Sequence, residues 1–215
     1  MNALVLLLSA GAAIIGFQEF EAAMLARGLG LGGPADRFED VGRNTLATSI
    51  KYGLMPSDKV LDVGAGGLRN GWWLIQFIEP SNYHAIEPRK KSIDNAAELI
   101  GAKINIYYND DWEFPDVKFD FVLARSIWTH ASKWMISKML AEFAENSTPD
   151  ARFLTSVVFP RADKPDYMGE RWLGRPLVAH SLKWIEDECR KHALSVQVKE
   201  ELYGQIWLLI EKNPG

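Results

Sequence analysis

Two acidic residues and a glycine-rich turn stand at a spacing that suits a nucleotide-like ligand. Asp62 lies near the end of a short apolar run, and Gly64 and Gly66 follow it directly. Glycine allows a ligand to approach the backbone closely, and free N–H groups before a helix favour its anionic groups. Glu87 follows Gly66 by 21 residues, near the spacing of an acid that binds ribose hydroxyls. These residues predict a site for a nucleotide-like ligand.

The spacing of the glycines argues against a dinucleotide. A G-x-G-x-x-G fingerprint that began at Gly64 would need glycine at position 69, where the chain has Arg69. A fingerprint that began at Gly66 fails as well, because position 68 is Leu68. A carboxylate beside the turn instead suits an ammonium group, and backbone N–H groups suit a carboxylate, as at the amino-acid end of a ligand.

Alternating apolar runs predict the strands and helices that must position these residues. The run at 60–63 is apolar on both faces, as in a sheet covered by helices. Two terminal strands joined by a short turn near Tyr203 and Gly204 must be antiparallel. The predicted strands are 60–63, 83–87, 104–108, 119–124, 153–159, 194–198 and 205–210. The predicted helices are 40–54 (with Asp40 as its cap), 72–78, 90–100, 134–143 and 182–193.

The Asp62-x-Gly64-x-Gly66 pattern resembles motif I of the class I S-adenosylmethionine-dependent methyltransferases. Further motifs resemble one bacterial subgroup of small methyltransferases with a G-x-G-x-L-R-x-G motif I, over roughly residues 37–160. These motifs are Gly42-Arg43-x-Thr45-Leu46, Gly66-x-Leu68-Arg69-x-Gly71, Tyr83…Ile86-Glu87-Pro88 and Ser126-Ile127-Trp128-Thr129-His130. Many subgroup members have cysteine where Ala65 stands. We expect that change to be harmless, since the turn contributes its backbone.

The resemblance implies a fold and a cofactor. The fold is α/β and Rossmann-like, with a seven-stranded, mostly parallel sheet, an antiparallel last strand and helices on both faces. The cofactor is S-adenosyl-L-methionine and the reaction is methyl transfer. The resemblance names no substrate; our first hypothesis for the acceptor is an oxygen or nitrogen of a small molecule. Glu87 would take both ribose hydroxyls. The expected cofactor-binding residues are Asp62, Gly64, Ala65, Gly66, Glu87, Asp110, Asp111, Trp112 and Arg125, with an aspartate on the adenine amine and Trp112 against the ring.

Substrate chemistry is expected where the fourth strand ends, because ligands of open α/β sheets lie outside the carboxyl ends of strands. His130 follows that strand and could remove a proton from an attacking oxygen or nitrogen. Alternatively, it begins a helix and bonds to the backbone, and His180 is then the other candidate base. The expected substrate contacts are Arg43, Trp128, Tyr167, Trp172 and His180. Arg43 could equally be a solvated side chain.

Composition excludes several other classes. The 215 residues carry a net charge of −4 and no basic block, so no nucleic-acid partner is expected. The single cysteine, Cys189, excludes an intrachain disulfide and a cysteine-rich metal site, and no metal is predicted. Two alternatives stay open for function. One is a methyltransferase of protein or RNA, and the other is a scaffold that binds the cofactor without turnover.

The composition of the first 34 residues predicts a separate N-terminal segment. Residues 1–18 have no charged side chain and a glycine-rich stretch follows, which divides the chain into an apolar helix with linker (1–34) and a methyltransferase domain (35–215). The apolar run could pack or dimerise as a helix, contact or span a membrane, or be a signal peptide. We expect a cytoplasmic protein that contacts a membrane or forms a homodimer through residues 1–27.

Overall fold

A computed structural model describes residues 15–28 and 37–213. Helices and strands alternate along most of this part of the chain, as the apolar pattern predicts. The helices are α1 (Phe17–Ala26), α2 (Phe38–Lys51), α3 (Gly71–Phe77), α4 (Lys90–Ile100), α5 (Lys133–Glu145) and α6 (Leu182–Lys191). The strands are β1 (Val60–Val63), β2 (Tyr83–Ile86), β3 (Asn105–Tyr107), β4 (Phe119–Ala124), β5 (Ser147–Val157), β6 (Leu194–Leu202) and β7 (Gln205–Lys212).

The seven strands form one sheet in the order β3-β2-β1-β4-β5-β7-β6. Strand β2 is parallel to β1 and to β3, and β4 is parallel to β5. Strand β7 is antiparallel to both β5 and β6, its neighbours on either side. The predicted α/β fold, a mostly parallel sheet with an antiparallel last strand and flanking helices, is therefore confirmed.

The described residues up to Tyr108 form one compact unit, which contains β1–β3 and α1–α4. Every residue of β1 and β2 is buried, as expected for strands covered on both faces. Helix α1 buries Phe17, Phe20 and Met24. The ring of Phe17 lies 5.5 Å from that of Phe38 in α2 and 4.9 Å from that of Trp72 in α3. These aromatic contacts make α1 part of this unit's core.

The residues from Asn109 onward form a second compact unit, with β4–β7, α5 and α6. Its core includes Phe143 of α5 and Phe153 of β5, whose rings lie 5.4 Å apart and are fully buried. Strand β5 begins at Ser147, six residues before the predicted start at 153. Its register with β4 shifts between Phe119 and Phe121, so the early polar part of β5 pairs across an irregularity.

Near the N-terminus, one sequence-based prediction is wrong and another is not tested. Asp40 is not the cap of α2, because the helix begins at Phe38 and Asp40 lies in its first turn. The predicted boundary at residue 34 and most of the apolar run fall in 1–14 and 29–36, outside the described residues, so the two-part division stays a prediction. Among the helices that the structure describes, none is both long and apolar enough to cross a bilayer.

Candidate functional site

The turn after β1 is fastened to the end of β2. The N–H groups of Gly64 and Ala65 both donate to the Ile86 carbonyl, at 2.8 and 3.1 Å. Gly64 and Gly66 have φ values of 72° and 60°, a left-handed conformation that glycine adopts without a Cβ clash. The Gly66 N–H donates to Glu87 Oε2 at 2.8 Å. The expectation that N–H groups face a ligand is thus wrong at these three positions, because each already binds the end of β2.

Glu87 is the central carboxylate of the turn. Its side chain is buried, and Oε1 accepts both the backbone N–H of Arg89 (3.0 Å) and its Nε–H (2.9 Å). A carboxylate offers about four lone-pair sites, and protein donors fill three of them. The Arg89 side chain is 64% exposed. Glu87 can therefore accept one more donor as it stands, and another where Arg89 swings into solvent.

Asp62 lies deeper than Glu87 and is bound to Tyr83. Its carboxyl is 1% exposed, and Oδ2 accepts the Tyr83 hydroxyl at 2.7 Å. Burial raises the pKa of Asp62 to about 7; the Tyr83 hydrogen bond opposes this rise and the charge of Glu87 adds to it. Burial and the neighbouring Asp62 also hold the pKa of Tyr83 well above its ordinary value. The carboxyl of Asp62 is thus poised between its neutral and ionised forms near neutral pH.

Two glycines outside the turn, Gly71 and Gly42, lie against neighbouring groups so closely that a side chain would clash with them. A Cβ at Gly71 would lie 2.5 Å from the Tyr83 hydroxyl, and one at Gly42 would lie 2.5 Å from the Arg69 carbonyl oxygen. Both distances are too short for any other residue. Sequence reasoning quoted these glycines as motif letters but gave them, and Tyr83, no function. The signal was the motif resemblance itself, which includes both Gly71 and Tyr83.

The remaining motif residues of this unit are supports as well. The Arg69 guanidinium lies 5.1 Å from the Phe38 ring centroid, and burial lowers its pKa to about 10. Arg43, a predicted substrate contact, is more than half exposed and forms an ion pair with Asp40 at 2.9 Å. The structure therefore places Arg43 on the exposed surface of α2, where it pairs with Asp40 of the same helix.

Three aromatic rings stack in the second unit. The ring of Trp112 lies 5.5 Å from that of Trp172, and Trp172 lies 5.2 Å from His130, with interplanar angles of 25° and 28°. Trp112 has a φ of 67°, a strained value for a tryptophan. Its buried Nε1 has no hydrogen-bond partner among the described residues. Asp110 and Asp111 beside it are exposed. The structure thus brings three of the predicted site residues together.

His130 is oriented by the segment between β5 and α6. Its Nδ1 lies 2.7 Å from the Leu173 carbonyl oxygen, and its own carbonyl accepts the Leu173 N–H at 2.9 Å. A carbonyl cannot donate, so Nδ1 carries the proton and Nε2 has the lone pair. Burial lowers the pKa of His130, the Leu173 bond partly opposes this, and the charge of Arg175 adds to it. The neutral imidazole is therefore the prevailing form at pH 7.

Three predicted substrate contacts lie elsewhere. Trp128 is fully buried and packs edge-on against Phe153 at 5.8 Å, which makes it a core residue. His180 is also fully buried, and its Nε2 lies 3.0 Å from the Ala131 carbonyl. The Tyr167 hydroxyl donates to the Arg171 carbonyl at 2.9 Å, within its own segment. We correct the first two assignments because Trp128 is packed against a core ring and His180 Nε2 is bonded to a main-chain carbonyl, so the structure presents neither to a substrate.

A hydrogen-bonded group holds the loop after β4. Ser126 has a φ of 60°, and its N–H donates to Ser156 Oγ at 2.8 Å. Gln205 Nε2 donates to Ser126 Oγ at 2.9 Å, and Ser156 Oγ donates to Gln205 Oε1 at 2.7 Å. Arg125, the expected cofactor contact, precedes this group and is half-buried. No cluster of three or more metal-ligating side chains occurs in the part of the chain that the structure describes.

The strand order and the antiparallel β7 define the fold of class I methyltransferases, as comparison with solved structures shows. Magnesium protoporphyrin IX methyltransferase (ChlM) from Synechocystis, with bound S-adenosylmethionine, is 15% identical at a TM-score of 0.63; the match covers 91% of this chain and 94% of ChlM. The complex of DhpI with S-adenosylhomocysteine is 14% identical at a TM-score of 0.65, over 92% and 95% of the two chains.

A third neighbour acts on a different kind of acceptor. A ribosomal protein methylase from Lactobacillus delbrueckii is 16% identical at a TM-score of 0.56, over 83% of this chain and 79% of the methylase. No protein-family model matches the sequence, and no curated protein matches it either. At these identities the structural likeness establishes the fold, and function has to be argued from the site.

Proposed function

We propose that the protein is an S-adenosylmethionine-dependent methyltransferase that methylates an oxygen or nitrogen of a small molecule. The observation that carries the proposal is the bond from the Gly66 N–H to Glu87 Oε2 at 2.8 Å. It joins the glycine turn after β1 to a buried acid after β2, so both motif elements form one structure. A turn built only to connect β1 to α3 would have no need of this buried carboxylate.

The residues present fit the cofactor. A Cβ built on Gly66 meets nothing nearer than Arg89 Nη2 at 3.8 Å, so the space above the turn is open to a ligand. Glu87 keeps acceptor capacity for ribose hydroxyls. In this proposal Gly64, Ala65 and Gly66 allow close approach, and Asp62 lies toward the ammonium. Trp112 faces the adenine ring, Asp110 or Asp111 its amine, and Arg125 a further part of the cofactor.

The acceptor side is proposed to use His130. When bound, the cofactor supplies a sulfonium-activated methyl group, so the protein's main task is to hold the nucleophile in line with the leaving sulfur. His130 Nε2 accepts a proton from an attacking hydroxyl or ammonium group, while the Leu173 carbonyl stabilises the imidazolium that results. Trp172 packs on the imidazole and fixes its plane.

A small-molecule acceptor is supported by one feature of the second unit and one of the whole chain. The exposed aromatic Trp172 stands beside Arg171 and Arg175 in one short segment, a combination that suits a flat or anionic compound. The net charge of −4 disfavours an extended RNA contact.

The first test is calorimetry of purified, ligand-free protein with S-adenosylhomocysteine. We expect one site, weakened about 10–100-fold in Glu87→Gln because charge-assisted bonds to the ribose are lost. Glu98→Gln, an exposed glutamate of α4, is the matched control and should bind normally. No binding by the native protein would overturn the cofactor proposal.

The second test asks for turnover. Release of S-adenosylhomocysteine is measured with pooled metabolites, peptides and RNA as acceptors. Turnover with metabolites alone supports the small-molecule proposal, whereas turnover with peptides or RNA replaces it with a macromolecular acceptor. Tight binding without turnover in any pool would identify a cofactor-binding scaffold.

A further inference from the structure

We propose that Asp62 and Tyr83 form a proton-linked pair, in which a cationic group that binds beside Asp62 ionises its carboxyl and releases one proton to solvent. The inference rests on the proposed function, since the cation would be the ammonium of the cofactor's amino-acid portion. It assigns to this site a regulation by pH that the motif resemblance does not imply.

The burial of the pair favours the neutral form of the Asp62 carboxyl. Asp62 is 1% exposed and Tyr83 is fully buried, and the Tyr83 hydroxyl donates to Asp62 Oδ2 at 2.7 Å. Gly71 makes room for that hydroxyl, because a Cβ there would lie 2.5 Å from it. No cationic side chain among the described residues is paired with Asp62. An ionised carboxylate so placed is strongly disfavoured, whereas the protonated form keeps its hydrogen bond.

The charge near Asp62 also favours its neutral form. Among the residues that the structure describes, two ionisable groups act on it, Tyr83 on β2 and Glu87 directly after β2. Tyr83 stays neutral at pH 7, because its own pKa is raised, so it contributes a hydrogen bond and no charge. The negative charge of Glu87 disfavours a second carboxylate nearby. Below pH 7 the free protein thus holds a proton on Asp62 that an exposed aspartate would already have lost.

A bound ammonium reverses this balance. The O–H bond of the Asp62 carboxyl breaks, its proton passes to water or buffer, and the resulting carboxylate pairs with the ammonium. Charge is conserved, because the cation that enters replaces the proton that leaves. By linkage, affinity must then rise with pH wherever the free protein still holds the proton. It must level off once Asp62 is ionised before the ligand arrives.

The test counts protons on the native protein. Calorimetric titration with S-adenosylhomocysteine at pH 6.5, in two buffers of different ionisation enthalpy, should show release of about 0.7 proton per ligand bound. The dissociation constant should fall about fivefold between pH 6 and pH 8, because partial loss of the ligand's ammonium proton near pH 8 offsets part of the gain. Binding with no proton exchange and a flat pH dependence below pH 7.5 would overturn the inference while leaving the cofactor proposal intact. Absence of binding would instead overturn the cofactor proposal.

A matched variant separates Asp62 from the titration of the ligand's own amino group, whose pKa is about 8. Asp62→Asn mimics the protonated carboxyl and cannot release its proton, so the release at pH 6.5 should vanish. Asp116→Asn, an exposed aspartate of the second unit, should keep it. Should Asp62→Asn fail to fold, Tyr83→Phe provides the same test, because loss of the hydroxyl makes ionisation harder and should extend proton release to higher pH. Unchanged release in the folded variant would contradict the assignment.

Discussion

At the scale of single residues, His130 shows how a backbone contact defines chemistry. The Leu173 carbonyl holds the proton on Nδ1, so Nε2 is left to accept another. We expect His130→Ala and His130→Gln to lower turnover roughly 10²–10⁴-fold, as loss of a general base does. Affinity for S-adenosylhomocysteine should stay within a few-fold. Initial rates with the substrate found in the pooled assay check this, and His192→Gln, a histidine at the end of α6, serves as the control.

The pH profile gives an independent test of the same residue. Burial lowers the pKa of His130, so the neutral base persists below pH 6.5. The rate at saturating substrate should therefore be constant from pH 8 to pH 7 and fall only at a pH below the ordinary histidine pKa of about 6.5. A rate that already falls between pH 8 and pH 7 would point to a base other than His130.

Residue types alone could not distinguish residues that bind a ligand from residues that only stabilise the fold. Trp128 and His180 lie in stretches that resemble functional motifs, yet both are fully buried. Their burial depends on tertiary packing, as of Trp128 against Phe153 and of His180 near Trp184, which sequence spacing does not reveal. Tyr83 was the reverse case, since an apolar strand gave no reason to expect its hydroxyl to bind Asp62. The position of Glu87 beside the turn was predictable, because it depends on two local features, the end of a strand and the sequence distance to a glycine turn. Its role toward the ribose stays a prediction.

At the scale of elements, Gly42 determines how closely α2 approaches the turn before α3. A methyl group at this position would meet the Arg69 carbonyl oxygen at 2.5 Å and the Trp73 ring at 2.6 Å. Gly42→Ala should lower the free energy of unfolding by roughly 1–3 kcal/mol, despite the higher helix propensity of alanine. Urea denaturation measures this. Gly174→Ala, where a Cβ meets nothing within 4 Å, should be close to neutral.

Helix α1 offers a second test at this scale. Phe20 is fully buried, whereas Leu25 on the same helix is 51% exposed. Phe20→Ala should lower the free energy of unfolding by roughly 3–5 kcal/mol. Leu25→Ala should change it by less than about 0.5 kcal/mol. Equal effects of the two substitutions would show that α1 contributes little to the core of its unit.

The elements were predictable where apolar runs end in clear signals. Helix α4 lies between Pro88 and Gly101, and β1 between Lys59 and Gly64, so their observed bounds match the prediction. The apolar pattern did not predict the early part of β5, because Ser147–Asp150 are polar and include Pro149. These residues gain strand structure only from tertiary pairing, as Ser147 does with Phe119.

At the scale of the whole molecule, Asp62 should make stability depend on pH. Its pKa is raised from 3.8 to about 7, so the folded state binds more protons than the unfolded state between these values. Stability from this group therefore falls as pH rises from 4 to 7 and then levels off. Relative to the native protein, Asp62→Asn should gain about 3 kcal/mol in free energy of unfolding between pH 5 and pH 8. A constant difference across that range would contradict the raised pKa.

The fold of the whole chain followed from the order of its strands and helices, together with two terminal strands joined too closely to be parallel. The acceptor did not follow, since neighbours of this fold act on compounds as different as a porphyrin and a ribosomal protein. Binding residues are often found on loops, and we propose that the segment between β5 and α6 contacts the acceptor here. The contacts of that segment depend on packing rather than on local pattern.

That segment has an evolutionary consequence. Leu173 holds His130 entirely through its main chain, so the identity of the side chain at position 173 is free to drift while the imidazole keeps its orientation. Proline is the exception, because it has no N–H to donate. Position 173 can therefore exchange leucine for most other residues while the imidazole of His130 stays in place.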